Sequence, residues 1–365
     1  MERGPGLIYR QTLANNDIVE KCPAMRTKYH PPWYLFNGHV HSMVAVKGSP
    51  YPKLNYEREE LVLPDGGIVS LDWVGKPHKY KPDHPTILIL HGAGGSSRDT
   101  YVRVTAQALV NTGWRVVAMN LRGHGSTPLA TPLFGNRFST TDIRAVVAHL
   151  RKTRVPLAPL IGIGFSSGAN LMVKYAGQDG ASCLLTAVVS ISNTYDMVAA
   201  DKVLHNSLWS RRVYSGGLVD AMKRHFFKHP QNATLFDAIP SVDVPKLAAA
   251  TTVRDFEDVL DRRLEGYATL EAYYHDGSCI AYMADVRIPV LCVSALDDPI
   301  CTPEMIPDAL CLRNPSFILV KTLSGGHLGF LEGNGSAMWT SHIISQYCTA
   351  ISNGVMKSGV FLSSL

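Results

Sequence analysis

Residues 160–177 read LIGIGFSSGANLMVKYAG. The first six form a short apolar run, the pattern of a strand buried on both faces. Residues 167–177 read as a helix. Between them stands Gly164-Phe165-Ser166-Ser167-Gly168. As a bare pattern, G-x-S-x-G is common, and a merely structural glycine-rich turn is its bland reading. The strand before it and the helix after it give it chemical meaning. Serine at so sharp a turn holds a strained backbone, and glycines two positions to either side leave room for close approach. The turn lifts the Ser166 hydroxyl out of the sheet. The following helix aims unpaired N–H groups and a positive dipole end at it. Ser166 is therefore the expected nucleophile.

Working outward, the same alternation repeats. TILILHG (86–92), RVVAMN (115–120) and AVVSIS (187–192) are short apolar runs, separated by helix-like stretches at 99–112 and 139–152. Continuous apolar strands alternating with helices imply a parallel sheet covered on both faces, an α/β fold. The alternation stops near 193 and resumes with PVLCVSA (289–295) and FILVKTL (317–323), before a helical C-terminus at 336–351. Residues 193–285 carry helical periodicity without a parallel-strand run. They read as a helical cap inserted at the carboxyl ends of the strands, where open α/β sheets bind ligands. Upstream, REELVLP and GIVSLDWV flank Asp65-Gly66-Gly67 and predict a hairpin. Residues 1–55 show little periodicity and read as an extended arm. The expected division is an arm (1–55), a core (56–192 with 286–365) and a cap (193–285).

A serine hydroxyl needs a general base to take its proton and a third group to orient that base. Candidates follow in chain order, each just after a predicted strand: Asp297 or Asp298 in SALDDP, and His327 in LSGGHLGF. A lone histidine among 14 means little, but one on a glycine-rich loop after the last strand is the expected base. The oxyanion hole needs two backbone donors. Ser167 supplies one, and Ala93 in His91-Gly92-Ala93-Gly94-Gly95 the other. A phosphate-binding reading of that loop lacks the G-K-[ST] it requires. His91 reads as fixing the loop, and His124 in Arg122-Gly123-His124-Gly125 as structural. His78 and Asp83 match an H-x-x-x-x-D spacing by coincidence.

Composition bounds the rest. Lys plus Arg exceed Asp plus Glu by five, and no basic run stands out, so nucleic-acid binding is not expected. No stretch of 18 apolar residues occurs, and MERGPGLIYRQTLANND lacks the apolar core of a secretory signal. Seven cysteines without a C-x-x-C pair predict reduced thiols, neither a zinc site nor a disulfide framework. Asn232 and Asn334 head chance sequons. No metal and no cofactor are expected.

With these motifs in place, the chain resembles the α/β-hydrolase-domain group of bacterial YheT and eukaryotic ABHD serine hydrolases. Pro32-Trp33 followed by Asn37-Gly38-His39 is similar to that group's N-terminal signature. So are HGAGGSSRDTYVR, NLRGHGSTPLATP, GIGFSSGANLMVKYAG, SALDDP and NPSFILVKTLSGGHLGFLEG, which span residues ~30–350. The resemblance implies an α/β-hydrolase fold with a mostly parallel sheet, flanking helices and a helical cap. It implies a triad on Ser166, Asp298 and His327. Asp298 is also the acid whose following residues, Pro-Ile-Cys-Thr-Pro, match the spacing of many such enzymes. Two departures are Ser167, where the group usually has Leu, and His124-Gly125, where it has Cys-Gly.

The expected activity is cofactor-free hydrolysis of carboxylic, acyl or lipid esters through an acyl-enzyme. Acyl transfer to an alcohol or lysolipid is the alternative. A non-catalytic binding module and a peptidase rank lower. The expected partner is a small-molecule ester, with no obligate protein partner. The basic and apolar segment 208–227 suggests peripheral membrane contact through the cap. A cytoplasmic location is expected, with Ser363-Ser364-Leu365 as a degenerate peroxisomal address.

Overall fold

The computed structural model describes residues 5–47, 52–135, 137–335 and 337–358. The Ser363–Leu365 address lies outside them. Nine strands form one sheet in the order β1-β9-β8-β7-β6-β4-β5-β3-β2. They are β1 (Gly6–Tyr9), β2 (Tyr56–Val62), β3 (Ile68–Val74), β4 (Thr86–Leu90), β5 (Arg115–Asn120), β6 (Leu160–Phe165), β7 (Ala187–Ile191), β8 (Val290–Ala295) and β9 (Phe317–Thr322). Strands β4 to β9 pair in parallel. The β2–β3 hairpin joins antiparallel through β3 to β5, and β1 joins antiparallel to β9.

The parallel strands bury both faces, which is why they read as unbroken apolar runs. Along β4, Ile87 and Ile89 pack with Val102 and Leu109 of α3 (Thr100–Asn111) and Ile344 of the C-terminal helix Trp339–Ser358. Leu88 and Leu90 face the other way, onto Val146 and Leu150 of α4 (Thr141–Thr153) and Met172 of α5 (Ser167–Asp179). Each such side chain, fully buried, contributes roughly 1.5–3 kcal/mol. Residues 197–285 supply no strand to this sheet. They form helices with an apolar cluster of their own, built on Phe226, Phe236, Leu247 and Phe256 and reaching Leu129 and Phe134 of the core.

The N-terminus corrects one expectation. Residues 6–47 are not an extended arm. They hold the edge strand β1, then α1 (Leu13–Lys21) and α2 (Gly38–Lys47). Strand β1 has four residues, too few to show a period. Helix α1 is mostly polar and buries only Asn15, Ile18 and Val19. Asn15 explains its docking: its Nδ2 donates to the carbonyls of Arg10 and Pro315, both at 2.9 Å.

Candidate active site

Ser166 occupies the turn between β6 and α5, with φ +54° and ψ −121°. Its N–H donates to Ile191 O at 2.9 Å, and its carbonyl accepts from the N–H groups of Ala169 and Asn170. The flanking glycines are required by contact. A Cβ on Gly164 would stand 2.3 Å from Gly168 O, and one on Gly168 would stand 2.4 Å from His91 O. The turn is therefore wedged against the loop after β4.

Three side chains from three loops meet there. Ser166 Oγ lies 2.8 Å from His327 Nε2, and His327 Nδ1 lies 2.9 Å from Asp298 Oδ2. Asp298 is buried, and its other oxygen accepts from the N–H groups of Ile300 (2.8 Å) and Cys301 (2.9 Å). Those donors fix the carboxylate and leave Oδ2 for the imidazole. Asp297 points elsewhere. Its Oδ1 accepts from Gly326 N at 2.8 Å, holding the histidine loop by its backbone. Burial pushes the Asp297 carboxyl above its ordinary value, against the pull of the Gly326 N–H.

The donor atoms of Asp298, Cys301 and His327 lie within 4.8 Å of one another, a spacing a metal could span. Two of the three are engaged otherwise, Asp298 with His327 and His327 with Ser166. Burial, and then the charge of Asp298, push the Cys301 thiol well above its ordinary value. The Cys301 S–H instead donates to Ser192 O at 3.3 Å. All seven cysteines are buried and free.

Ala93 and Ser167 line the same cavity as Ser166 and His327. That cavity measures only ≈ 40 Å³ and is roofed by cap residues Met197, Leu204, Leu218 and Val253. Wider hollows of ≈ 440 and ≈ 370 Å³ lie elsewhere, and neither includes Ser166, Asp298 or His327. His91 holds its own loop, its Nδ1 lying 2.7 Å from Gly92 O. His124 does not line the cavity. Its ring sits between those of His91 (5.4 Å) and His225 (4.8 Å). Burial drives His91 and His225 down to about 4, and drives His124, which is also repelled by both neighbours, well below its ordinary value. Asp83 accepts from the N–H groups of Leu157 and Ala158, a structural role.

Three supports of the site escaped sequence reading. The His327 N–H donates to Ser42 Oγ at 2.8 Å, and Ser42 Oγ–H donates to Gly38 O at 2.6 Å, so α2 holds the base's loop. A Cβ on Gly38 would fall 1.7 Å from Asp297 O, which explains glycine in Asn37-Gly38-His39. Behind the oxyanion loop, Asp72 accepts from Arg58, Ser97 Oγ (2.6 Å) and Asn120 Nδ2 (2.8 Å), tying that loop to β3 and β5. The signals were single polar residues inside apolar strands. The third is Arg137, which lines the cavity and is paired with buried Glu257.

Known proteins share this arrangement of the chain. A family described as alpha/beta hydrolase fold matches residues 85–334. "Phospholipase ABHD3" of Mus musculus is 30% identical over 334 residues, covering 90% of this chain and 79% of its own. "Monoacylglycerol lipase ABHD2" of Homo sapiens is 27% identical over 369 residues, covering 95% of this chain and 85% of its own. Among solved structures, the Pyrococcus furiosus esterase Pf2001 superposes with a TM-score of 0.50 at 15% identity, covering 83% of this chain and 93% of that one.

Proposed function

The chain belongs to the alpha/beta hydrolase fold family, and from that premise we propose that it is a serine hydrolase of carboxylic esters, lipid acyl esters among them, working through an acyl-enzyme. The observation that carries this reading is the continuous hydrogen-bond path Ser166 Oγ–His327 Nε2 and His327 Nδ1–Asp298 Oδ2, at 2.8 and 2.9 Å. Its geometry suits a general base poised on a nucleophile.

In the proposed reaction, Ser166 Oγ attacks the ester carbonyl carbon as His327 Nε2 takes the hydroxyl proton. Asp298 holds the Nδ1–H and stabilises the imidazolium. The N–H groups of Ala93 and Ser167 receive the oxyanion, where one lost donor costs about 3–4 kcal/mol of barrier. The tetrahedral adduct collapses, the C–O bond to the alcohol breaks, and His327 returns the proton to the departing oxygen. Water then attacks the acyl-enzyme, giving its proton to the same base, and the carboxylic acid leaves as Ser166 is restored. The relatives' names, phospholipase and monoacylglycerol lipase, support lipid esters as the substrate class.

The acyl-enzyme is the testable intermediate. Rapid acid quench during turnover of p-nitrophenyl butyrate, followed by peptide mass mapping, should find a butyryl group on the peptide carrying Ser166. A modified peptide elsewhere, or turnover with no adduct under burst conditions, would overturn the reading. Adding a lysolipid acceptor and analysing products separates hydrolysis from acyl transfer.

A further inference from the structure

Catalysis leaves one surface unexplained. Trp33 is 91% exposed, Phe36 77%, Leu208 86% and Trp209 56%. A single exposed apolar side chain is ordinary, but several large ones on adjoining segments mark an interaction site. Trp33 and Phe36 belong to the loop before α2, and Leu208 and Trp209 to the short helical turn Leu208–Ser210 of the cap.

The helices that continue these two segments, α2 and the turn Arg211–Ser215, touch. His39 hydrogen-bonds the Tyr214 hydroxyl, with their rings stacked 5.8 Å apart. Tyr214 in turn packs with Leu204, Ile300 and Cys301, on the loop that carries Asp298. Gly38, beside His39, abuts Asp297. The apolar cluster therefore borders the catalytic end of the sheet.

Charge specifies the partner. Arg211 and Arg212 follow Trp209 after a single serine and are exposed, and neither makes an ion pair among the described residues. Asp201, in the preceding cap helix, is already engaged by Arg254 and His205. Indole, phenyl and leucyl groups beside two uncompensated guanidinium groups match a bilayer interface: the apolar groups enter the acyl boundary while the cations meet anionic headgroups. A second copy of this chain fits less well, because a two-fold contact would bring the same arginines face to face.

We propose that the Trp33–Phe36 loop and the Leu208–Arg212 turn form a docking surface for an anionic lipid bilayer, which holds the mouth of the Ser166 site at the lipid interface. The benefit to catalysis rests on the ester-hydrolase reading above; the docking itself does not.

Flotation with phosphatidylcholine vesicles, with and without phosphatidylserine, tests it. Wild-type protein should partition onto the anionic vesicles, with a blue shift in tryptophan emission and weakening by salt. Arg211→Gln with Arg212→Gln should lower partitioning about fivefold per arginine. Leu208→Ser with Trp209→Ser should lower it at least tenfold. The arginine variant and the Leu208/Trp209 variant should both hydrolyse soluble p-nitrophenyl acetate at the wild-type rate, which shows that they fold. Ser166→Ala should float like wild type, separating docking from substrate capture. Absence of wild-type binding to anionic vesicles would overturn the proposal. So would unchanged binding by the Leu208/Trp209 variant, or a wild-type dimer that the same variant dissolves. Vesicle binding by a protein inert on every ester would sink the hydrolase reading and leave docking standing.

Discussion

Ser166 pays for its position with backbone strain: a non-glycine residue at φ +54° costs on the order of 1–3 kcal/mol. Hydrogen bonds to Ile191 O and from Ala169 and Asn170 N–H offset it, and Gly164 and Gly168 make room for them. The two adjacent aspartates give the sharpest residue-level test. Asp298 touches the imidazole, whereas Asp297 accepts from the backbone of Gly326. Asp298→Asn should cut kcat by about 10⁴, because an amide favours the wrong imidazole tautomer. Asp297→Asn keeps an acceptor for the Gly326 N–H and should cost no more than about tenfold, the difference between a charged and a neutral acceptor. Comparing kcat of the two variants on one soluble ester decides the assignment, and equal losses would reject it. Sequence reading placed Ser166 and His327 because each lies on a short loop after a recognisable strand. Between the two aspartates it preferred Asp298 on the spacing of the residues that follow, because nothing in the sequence tells which way neighbours on one turn send their side chains.

At the scale of elements, α2 and one cap helix act on opposite sides of the site. Helix α2 holds the histidine loop through Ser42 Oγ, which accepts the His327 N–H. Ser42→Ala removes that acceptor, so kcat should fall about fivefold with KM little changed, a loss of roughly 1 kcal/mol. A larger rise in KM would show that α2 shapes binding instead.

The cap helix Gly216–Phe226 lies on the oxyanion loop: a Cβ on Gly94 would stand 2.8 Å from that of Ala221. His225 of this helix meets His124 and, through it, His91, with Asp99, Lys228 and Arg137 as the neighbouring charges. The sign of the pH effect follows. Burial holds His91 and His225 near 4 in the folded chain, below the ordinary histidine value of about 6.5. Between these values the unfolded chain binds more protons, so stability is full above about 6.5 and is lost as pH falls toward 4. Tm measured from pH 7 to 4 should drop, and His124→Asn with His225→Gln should flatten the drop. An unchanged slope in that variant would assign the acid sensitivity to groups other than His124 and His225, buried His41 among them. The parallel-strand elements were legible because burial on both faces writes an unbroken apolar run. The N-terminal elements were not. Strand β1 is four residues long, and α1 is anchored by Asn15 rather than by an apolar stripe.

At the scale of the molecule, a rigid parallel sheet presents three loops to one point, and the cap closes over it with an aromatic core of its own. The cavity left between them is narrow, ≈ 40 Å³, so under the proposed function a long acyl chain would need the cap to move. No helix of the described residues is long and apolar enough to cross a membrane. The docking surface lies on the cap and on the loop before α2, so seating it at a lipid interface offers a route to opening. That a strand-free helical stretch lies there was legible from the break in alternation near residue 193. Its closure was not, because that depends on contacts between residues far apart in the chain.

The most direct test of the central claim is fluorophosphonate labelling together with initial rates on p-nitrophenyl esters from acetate to palmitate, for wild type and Ser166→Ala. Wild type should label and turn over, the substitution should abolish both, and the chain-length profile will show how far the cap opens. A folded wild-type protein that neither labels nor hydrolyses any ester, or a Ser166→Ala variant that keeps its turnover, would contradict the account.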